Sequence, residues 1–282
     1  MSNIDALSVF QKDGTTPAKL IKLYGDMIAP VMAGALSVQL KNTNYAGPIM
    51  AGGVEVYRLV TAGSENYGTA RTASEGDKVK KEKVFVPIDV NKEIVEEWKS
   101  DEAQRAGLEN LVANRREAHM LSMLNTLDTA FFAEAVAEGS VVDVSEATDE
   151  NEAVQLVIQT LEKVENDFIH KGIDRTQIRV TLTPEVFDAL EDHINTLPNP
   201  NGGGVNIDVY KRVRIYPNIN QSVDIIAMAQ GSIAQPVNVV PYSQEIVPLS
   251  NDTAVKSFYD FGTEAVMEDL VMYANLAETP SA

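Results

Sequence analysis

Cysteine is absent from all 282 residues. That excludes disulfides, thiolate zinc sites, iron–sulfur clusters and a cysteine nucleophile. Histidine is scarce: His119, His170 and His193 are the full set, and no HExxH or other ligand spacing connects them. His119 falls inside a long helical pattern and the other two lie near helix ends, where a cation complements the dipole, so their reading is structural. Basic residues are in deficit, 23 against 41 acids, for a formal net charge of -18. So acidic a surface repels phosphate, which is gripped by lysine and arginine displacing counterions, so sequence-specific nucleic-acid binding is not expected. Long apolar runs are missing too: Met27 to Val38, interrupted by Pro30 and Gly34, is too short to span a bilayer. The opening MSNIDALSVFQKDG carries acids and no apolar core, so no signal peptide is read there and folding in a cytoplasm is expected.

Catalytic signatures are equally sparse. Gly202-Gly203-Gly204 lacks the GKS or GKT ending of a phosphate loop, and neither GxGxxG nor GxSxG occurs. The triple glycine reads as a flexible loop. Between Glu134 and Glu152 stand seven acids and no base, without calcium-loop spacing, so a solvated acidic face and linker is the reading. No catalytic, cofactor-binding or metal site is expected, and the chain reads as a non-enzyme.

What is present is architectural. Hydrophobic residues make up 44% and charged residues 23%, the proportions of a folded soluble protein, and the helical and strand patterns below read as α+β. Residues 1–53 read as an extended arm with one short helix, started by Thr16 and Pro17 with Leu20, Ile21, Tyr24 and Ile28 at helical spacing. VEVYRLV and KVKKEKVFVPIDV then alternate around a polar stretch, which predicts a long protruding hairpin whose returning strand carries Lys78, Lys80, Lys81 and Lys83. Asn91 is read as the cap of a helical segment with Ile94, Val95 and Trp98. A helix of roughly 45–50 Å follows from Gly107 to Glu138, at about 1.5 Å per residue. Thr148 is read as starting another helix, and IRVTLTPEVFDALEDH as a strand followed by a helix capped by Thr183. VYKRVRIYPNIN gives two runs meeting near Tyr210-Lys211, and DIIAMA a buried strand. PVNVVPYSQEIVPL is broken by Pro236, Pro241 and Pro248, and SFYDFGTEAVMEDLVMYANL ends the chain in strand-like fashion. An arm and hairpin bury little within one subunit and make energetic sense across neighbours.

The order of these elements resembles the tailed-bacteriophage major capsid proteins with the Hong Kong 97-like fold. IRVTLTPEVFDALED is similar to the family's axial segment before its central sheet, VYKRVRIYPNIN and DIIAMAQ to the next two elements, and EKVFVPIDVNKEIVEEW to the junction of loop and spine helix. The resemblance covers nearly the whole chain through element order and loose patterns rather than one motif. It implies an N-terminal arm (1–53), an extended loop (54–90), a peripheral domain with a spine helix (91–147 and 252–282) and an axial domain (148–251).

It further implies a structural homo-oligomer of pentamers and hexamers, assembled in the host cytoplasm as a procapsid and present in the virion. Its partners would be a separate scaffolding protein and a portal. It would enclose double-stranded DNA without specific binding and without a membrane. Some family members cross-link a loop lysine to an asparagine; Asn275 is the corresponding acceptor here, but no catalytic carboxylate geometry is visible and a noncovalent role is expected. In that role the hairpin lysines of one subunit pack over Glu93, Glu96, Glu97, Asp101 and Glu102, read as the acidic start of a neighbour's spine helix. The alternatives are an encapsulin-like compartment shell, or a monomeric α+β enzyme or binding protein.

Overall fold

The structure, a computed structural model, describes residues 34–45, 52–59, 81–98, 108–165, 172–196, 209–246 and 253–276. Its helices and strands alternate along the chain. First come helix α1 (Leu36–Leu40), the strands β1 (Gly53–Leu59), β2 (Lys81–Pro87) and β3 (Val90–Trp98), and the long helix α2 (Leu108–Glu138). Strand β4 (Ser140–Val141), helix α3 (Glu150–Glu162), strand β5 (Ile178–Leu182) and helix α4 (Pro184–Thr196) follow. The rest is strand: β6 (Val209–Tyr210), β7 (Val213–Pro217), β8 (Ile225–Ala229), β9 (Ile233–Ala234), β10 (Val237–Ile246), β11 (Thr253–Phe261), β12 (Glu264–Ala265) and β13 (Val271–Ala274). The expected helix around Ala18 to Ile28, the Gly202 loop and His170 lie outside the described residues.

The chain divides into two compact units. One comprises Met1–Gln39, Pro87–Asp128 and Pro236–Gly262, and its sheet has the order β10-β11-β3. Alternation along β11 puts Val255, Ser257, Tyr259 and Phe261 on its buried face, with the rings of Tyr259 and Phe261 stacked at 6.2 Å. Pro241, expected to break this segment, lies inside one ten-residue strand. The ladder with β11 shifts register between Val240 and Ser243, and β10 is an edge strand. A bulge on an edge is where a residue without an N–H fits a sheet.

The same sheet corrects the reading of residues 91–98. They form strand β3, which pairs with β11 from Trp98↔Thr253 to Val90↔Phe261, not the start of a helix. The physical cause is an inverted pair of positions. Val95 is 54% exposed on the outer face, while Glu96 turns inward to a histidine and an arginine. That exchange erases the period-2 signature and leaves Val90, Ile94 and Trp98 at helical spacing. The helix from Leu108 matches expectation, at 31 residues and about 46 Å. Its buried stripe advances by fours through His119, Met123, Leu127, Phe131 and Ala135, while Leu121, expected on that stripe, is exposed.

The second unit comprises Leu40–Val86, Thr129–Gln235 and Thr263–Ala282, built on a six-stranded sheet of order β4-β13-β8-β5-β7-β6. Ile178, Val180 and Leu182 of β5, Val213 and Ile215 of β7, and Ile225, Ala227 and Ala229 of β8 form one core. Val154, Val157, Ile158 and Leu161 of α3 and Val186 and Leu190 of α4 pack on it. Each buried valine, leucine or isoleucine is worth about 1.5–3 kcal/mol. Helix α3 is capped one residue later than read, by Asp149, whose carboxylate accepts from Glu152 N; Thr148 N and Oγ1, just before the cap, both donate to the Glu152 carboxylate. Thr183 precedes α4, but its hydroxyl is buried without a partner and does not cap.

The acid-rich stretch read as a linker is woven into this unit. Ser140 and Val141 pair parallel with β13, and Val142 and Val144 enter the core. The chain returns to its first unit at Pro236, and β13 comes back into the six-stranded sheet against β8. Alternating apolar residues on both sides of each boundary hide such a hand-over from sequence.

Candidate assembly surfaces

The two strands expected to form the hairpin do pair, while residues 60–80 between them lie outside the described residues. Strands β1 and β2 pair as a two-stranded sheet, and the backbones approach closely at Gly53, where a Cβ would lie 2.3 Å from the Phe85 ring. Val56 and Val86 anchor its base beside Ala234 and Val266. Of the four lysines, Lys78 and Lys80 lie outside the described residues, and Lys81 opens β2. Lys83 is held within its own hairpin: its Nζ donates to Glu55 Oε2 at 2.5 Å and sits 5.8 Å from the Tyr57 ring centroid. The Glu55 hydrogen bond and charge raise the Lys83 pKa.

Of the acidic candidates, Glu93, Glu96 and Glu97 occupy β3 instead of a helix. Glu93 and Glu97 are exposed on the outer face with Val95, and Phe258 lies opposite Glu93. Glu96 is engaged within its own chain: His119 Nε2 lies 2.9 Å from its Oε1 and Arg115 3.6 Å from the same oxygen. Asp101 and Glu102 lie outside the described residues. Asn275 belongs to the fold, its amide oxygen accepting from Asp224 N at 3.3 Å.

Two features were not singled out from sequence. Asp128, buried on α2, accepts from Ser37 N at 2.9 Å and from Leu36 N at 3.2 Å, and so holds the first turn of α1. The second is the turn between β6 and β7. Lys211 and Arg212 have φ of 48° and 76°, the left-handed region, at both central positions of a two-residue hairpin closed by Tyr210↔Val213. That turn selects Asn-Gly or Gly-Gly, and a side chain there costs about 1–2 kcal/mol per residue. Both residues are long and basic, and Arg214 on β7 extends the cluster; all three are exposed. The only sequence signal was KRVR in an acidic chain.

Among the described residues no group of three or more histidines and acids is placed to hold a metal ion, and no helix is long and apolar enough to cross a membrane. One polar cleft of about 250 Å³ lies beside Lys41, Asn42, Asn44 and Gln230. Lys41 donates to the Gln235 carbonyl at 2.9 Å, and burial lowers its pKa.

No protein-family description matches the sequence, and no curated protein is similar to it. Solved structures are similar in fold. The capsid of cyanophage P-SCSP1u aligns with a TM-score of 0.61 at 10% identity, covering 87% of this chain and 89% of that one. A structure from Mycobacterium phage Che8 aligns at 0.57 and 16% identity, over 80% and 85%. The virus-like particle of Pyrococcus furiosus aligns at 0.56 and 14%, over 92% and 98%. The chain therefore has the α+β fold of tailed-phage capsid subunits, the Hong Kong 97-like architecture that its order of elements resembles.

Proposed function

We propose that this chain is the major capsid protein of a tailed bacteriophage, a structural subunit without catalysis that assembles into the icosahedral head. The observation that carries this reading is an alignment with a phage capsid over 87% of this chain and 89% of that one. The subunits form pentamers and hexamers in the host cytoplasm, with a separate scaffolding protein and a portal, and enclose double-stranded DNA in the virion. An acidic protein suits that role, since a wall that repels phosphate lets DNA slide during packaging. The division into arm (1–53), extended loop (54–90), peripheral domain (91–147 and 252–282) and axial domain (148–251) is part of this proposal, and the 31-residue α2 and the core on the six-stranded sheet support a spine helix and an axial core.

Contacts between neighbours are proposed at the hairpin lysines Lys78, Lys80, Lys81 and Lys83 on one side. The acids Glu93, Glu96, Glu97, Asp101 and Glu102 stand on the other. Lys83 and Glu96 already have partners in their own chain, so they add least. Reversing all four lysines to glutamate should reduce assembly while leaving the unfolding midpoint within a few degrees, because exposed pairs are worth about 0.2–1 kcal/mol each. Normal shells from that variant would discard these contacts.

A second reading is a cellular compartment shell, favoured by the 98% coverage of the Pyrococcus furiosus particle chain. Negative-stain microscopy with sedimentation of the purified protein tests both. Closed shells tens of nanometres across support a shell protein, and nucleic acid or enzyme inside separates phage head from compartment. A chain that stays monomeric with scaffold and portal supplied refutes both.

A further inference from the structure

The six-stranded sheet has two open ends of opposite character. At one end, β4 is two residues long and Val141 is 69% exposed. Glu138 precedes it and Asp143 follows it, both exposed. Asp143 accepts from Ser145 N at 2.9 Å, and neither acid forms an ion pair with a base among the described residues. At the other end, β6 is also two residues long and Val209 is 54% exposed. It runs into the turn of Lys211 and Arg212, and Val209 pairs with Arg214.

The three bases are exposed and in no ion pair among the described residues; Lys211 lies 5.1 Å from its neighbour Tyr210's ring centroid, and Arg212 is near enough to Asp174 to help lower that carboxyl's pKa. In a chain of net charge -18, three bases clustered without salt bridges are unusual. The left-handed backbone at Lys211 and Arg212 runs against the preference of long side chains, and strain of this kind is retained where something beyond the fold selects it.

We propose that these ends meet between copies: the β4 end of one subunit, with Val141, Glu138 and Asp143, seats against the β6 end of the next, with Val209, Lys211, Arg212 and Arg214. The inference rests on the shell reading above and adds which surfaces join subunits within a ring. Charge selects the partner. An end bearing two acids repels its own copy and attracts the end bearing three bases, so the contact is head-to-tail. A head-to-tail contact repeats around an axis and closes into a ring when its rotation allows, which a two-fold contact between like ends cannot do. Strands of two residues are too short to extend a ladder, so the contact is one of side chains: a valine on each side within a charged rim.

The cysteine-free sequence makes a clean test possible. Both valines are exposed, so the full chain carrying Val141→Cys and Val209→Cys should fold normally. After assembly and mild oxidation, a non-reducing gel should show a ladder of linked chains ending at five or six, and each single variant should show none. Lys211→Glu, Arg212→Glu and Arg214→Glu together should lower the assembled fraction about tenfold, because two exposed pairs are lost and like charges take their place. Adding Glu138→Lys and Asp143→Lys to that chain should restore it.

Shells that form normally, leave the cysteine pair unlinked and ignore the charge reversal would overturn this inference and leave the shell reading intact. A basic end that holds DNA instead of a second copy gives that same unlinked result. Linkage in a single-cysteine variant would overturn the head-to-tail arrangement. A wild-type chain monomeric even with scaffold and portal would remove the shell reading and this inference with it.

Discussion

A single hydrogen atom separates Gly262 from disaster. A Cβ there would lie 1.6 Å from the Pro87 carbonyl oxygen, and the clash is with backbone, which cannot rotate away. Gly262→Ala should therefore cost more than the roughly 1–3 kcal/mol of ordinary overpacking, and thermal unfolding should detect it as a large drop in midpoint. Glu134 is the opposite case, a residue whose replacement should help. Burial raises its pKa, and the nearby charges of Glu264 and Glu138 push the same way, against the hydrogen bond from Ala265 N at 3.1 Å. A carboxyl with a raised folded pKa favours the fold while protonated, and that contribution is lost as pH rises through the folded value. Glu134→Gln, which keeps the acceptor oxygen, should match wild type in acid and exceed it by about 1–3 °C in midpoint near neutrality, a gain kept small because the side chain is half exposed. Equal midpoints at neutral pH would refute this.

At the scale of elements, the anchoring of α1 is the point most open to test. Asp128 satisfies two N–H groups at the start of a five-residue helix far too short to persist alone. Asp128→Ala should cost about 2–3 kcal/mol, since it leaves both donors buried, and should speed amide exchange at Leu36 and Ser37 ahead of the rest of the chain. This contact could not be read from sequence, because its partners are 91 and 92 residues apart. What could be read was local: the long helix, the DIIAMA strand and the strand-helix step at Leu182-Thr183-Pro184 all followed from period, β-branching and a proline at the first helical position. Reading failed where a distant partner decides the outcome. Val90–Trp98 is a strand because β11 offers nine residues to pair with, and Glu96 can face inward because His119 waits there. The proposed contact residues were accordingly half legible. The lysine hairpin was visible as alternation, whereas Glu93, Glu96 and Glu97 were assigned to a helix and lie in strand β3. The basic turn was passed over because nothing in KRVR announces a left-handed backbone.

For the whole molecule, two electrostatic terms of different range compete during assembly. Copies carrying a net charge of -18 repel one another over distances set by screening, about 10 Å at 0.1 M salt and 3 Å at 1 M. Charge pairs at the proposed sheet ends act at contact distance and, partly desolvated, yield to salt only later. Added sodium chloride should first raise the assembled fraction as repulsion is screened, and then lower it as the contacts weaken, so light scattering against salt should pass through a maximum. The chain with Lys211, Arg212 and Arg214 all changed to glutamate has lost the short-range attraction and kept the repulsion, so it should only rise. If wild type also rises without a maximum, the subunits are joined by apolar burial alone, and Val141 and Val209 rather than their charged neighbours define the contact.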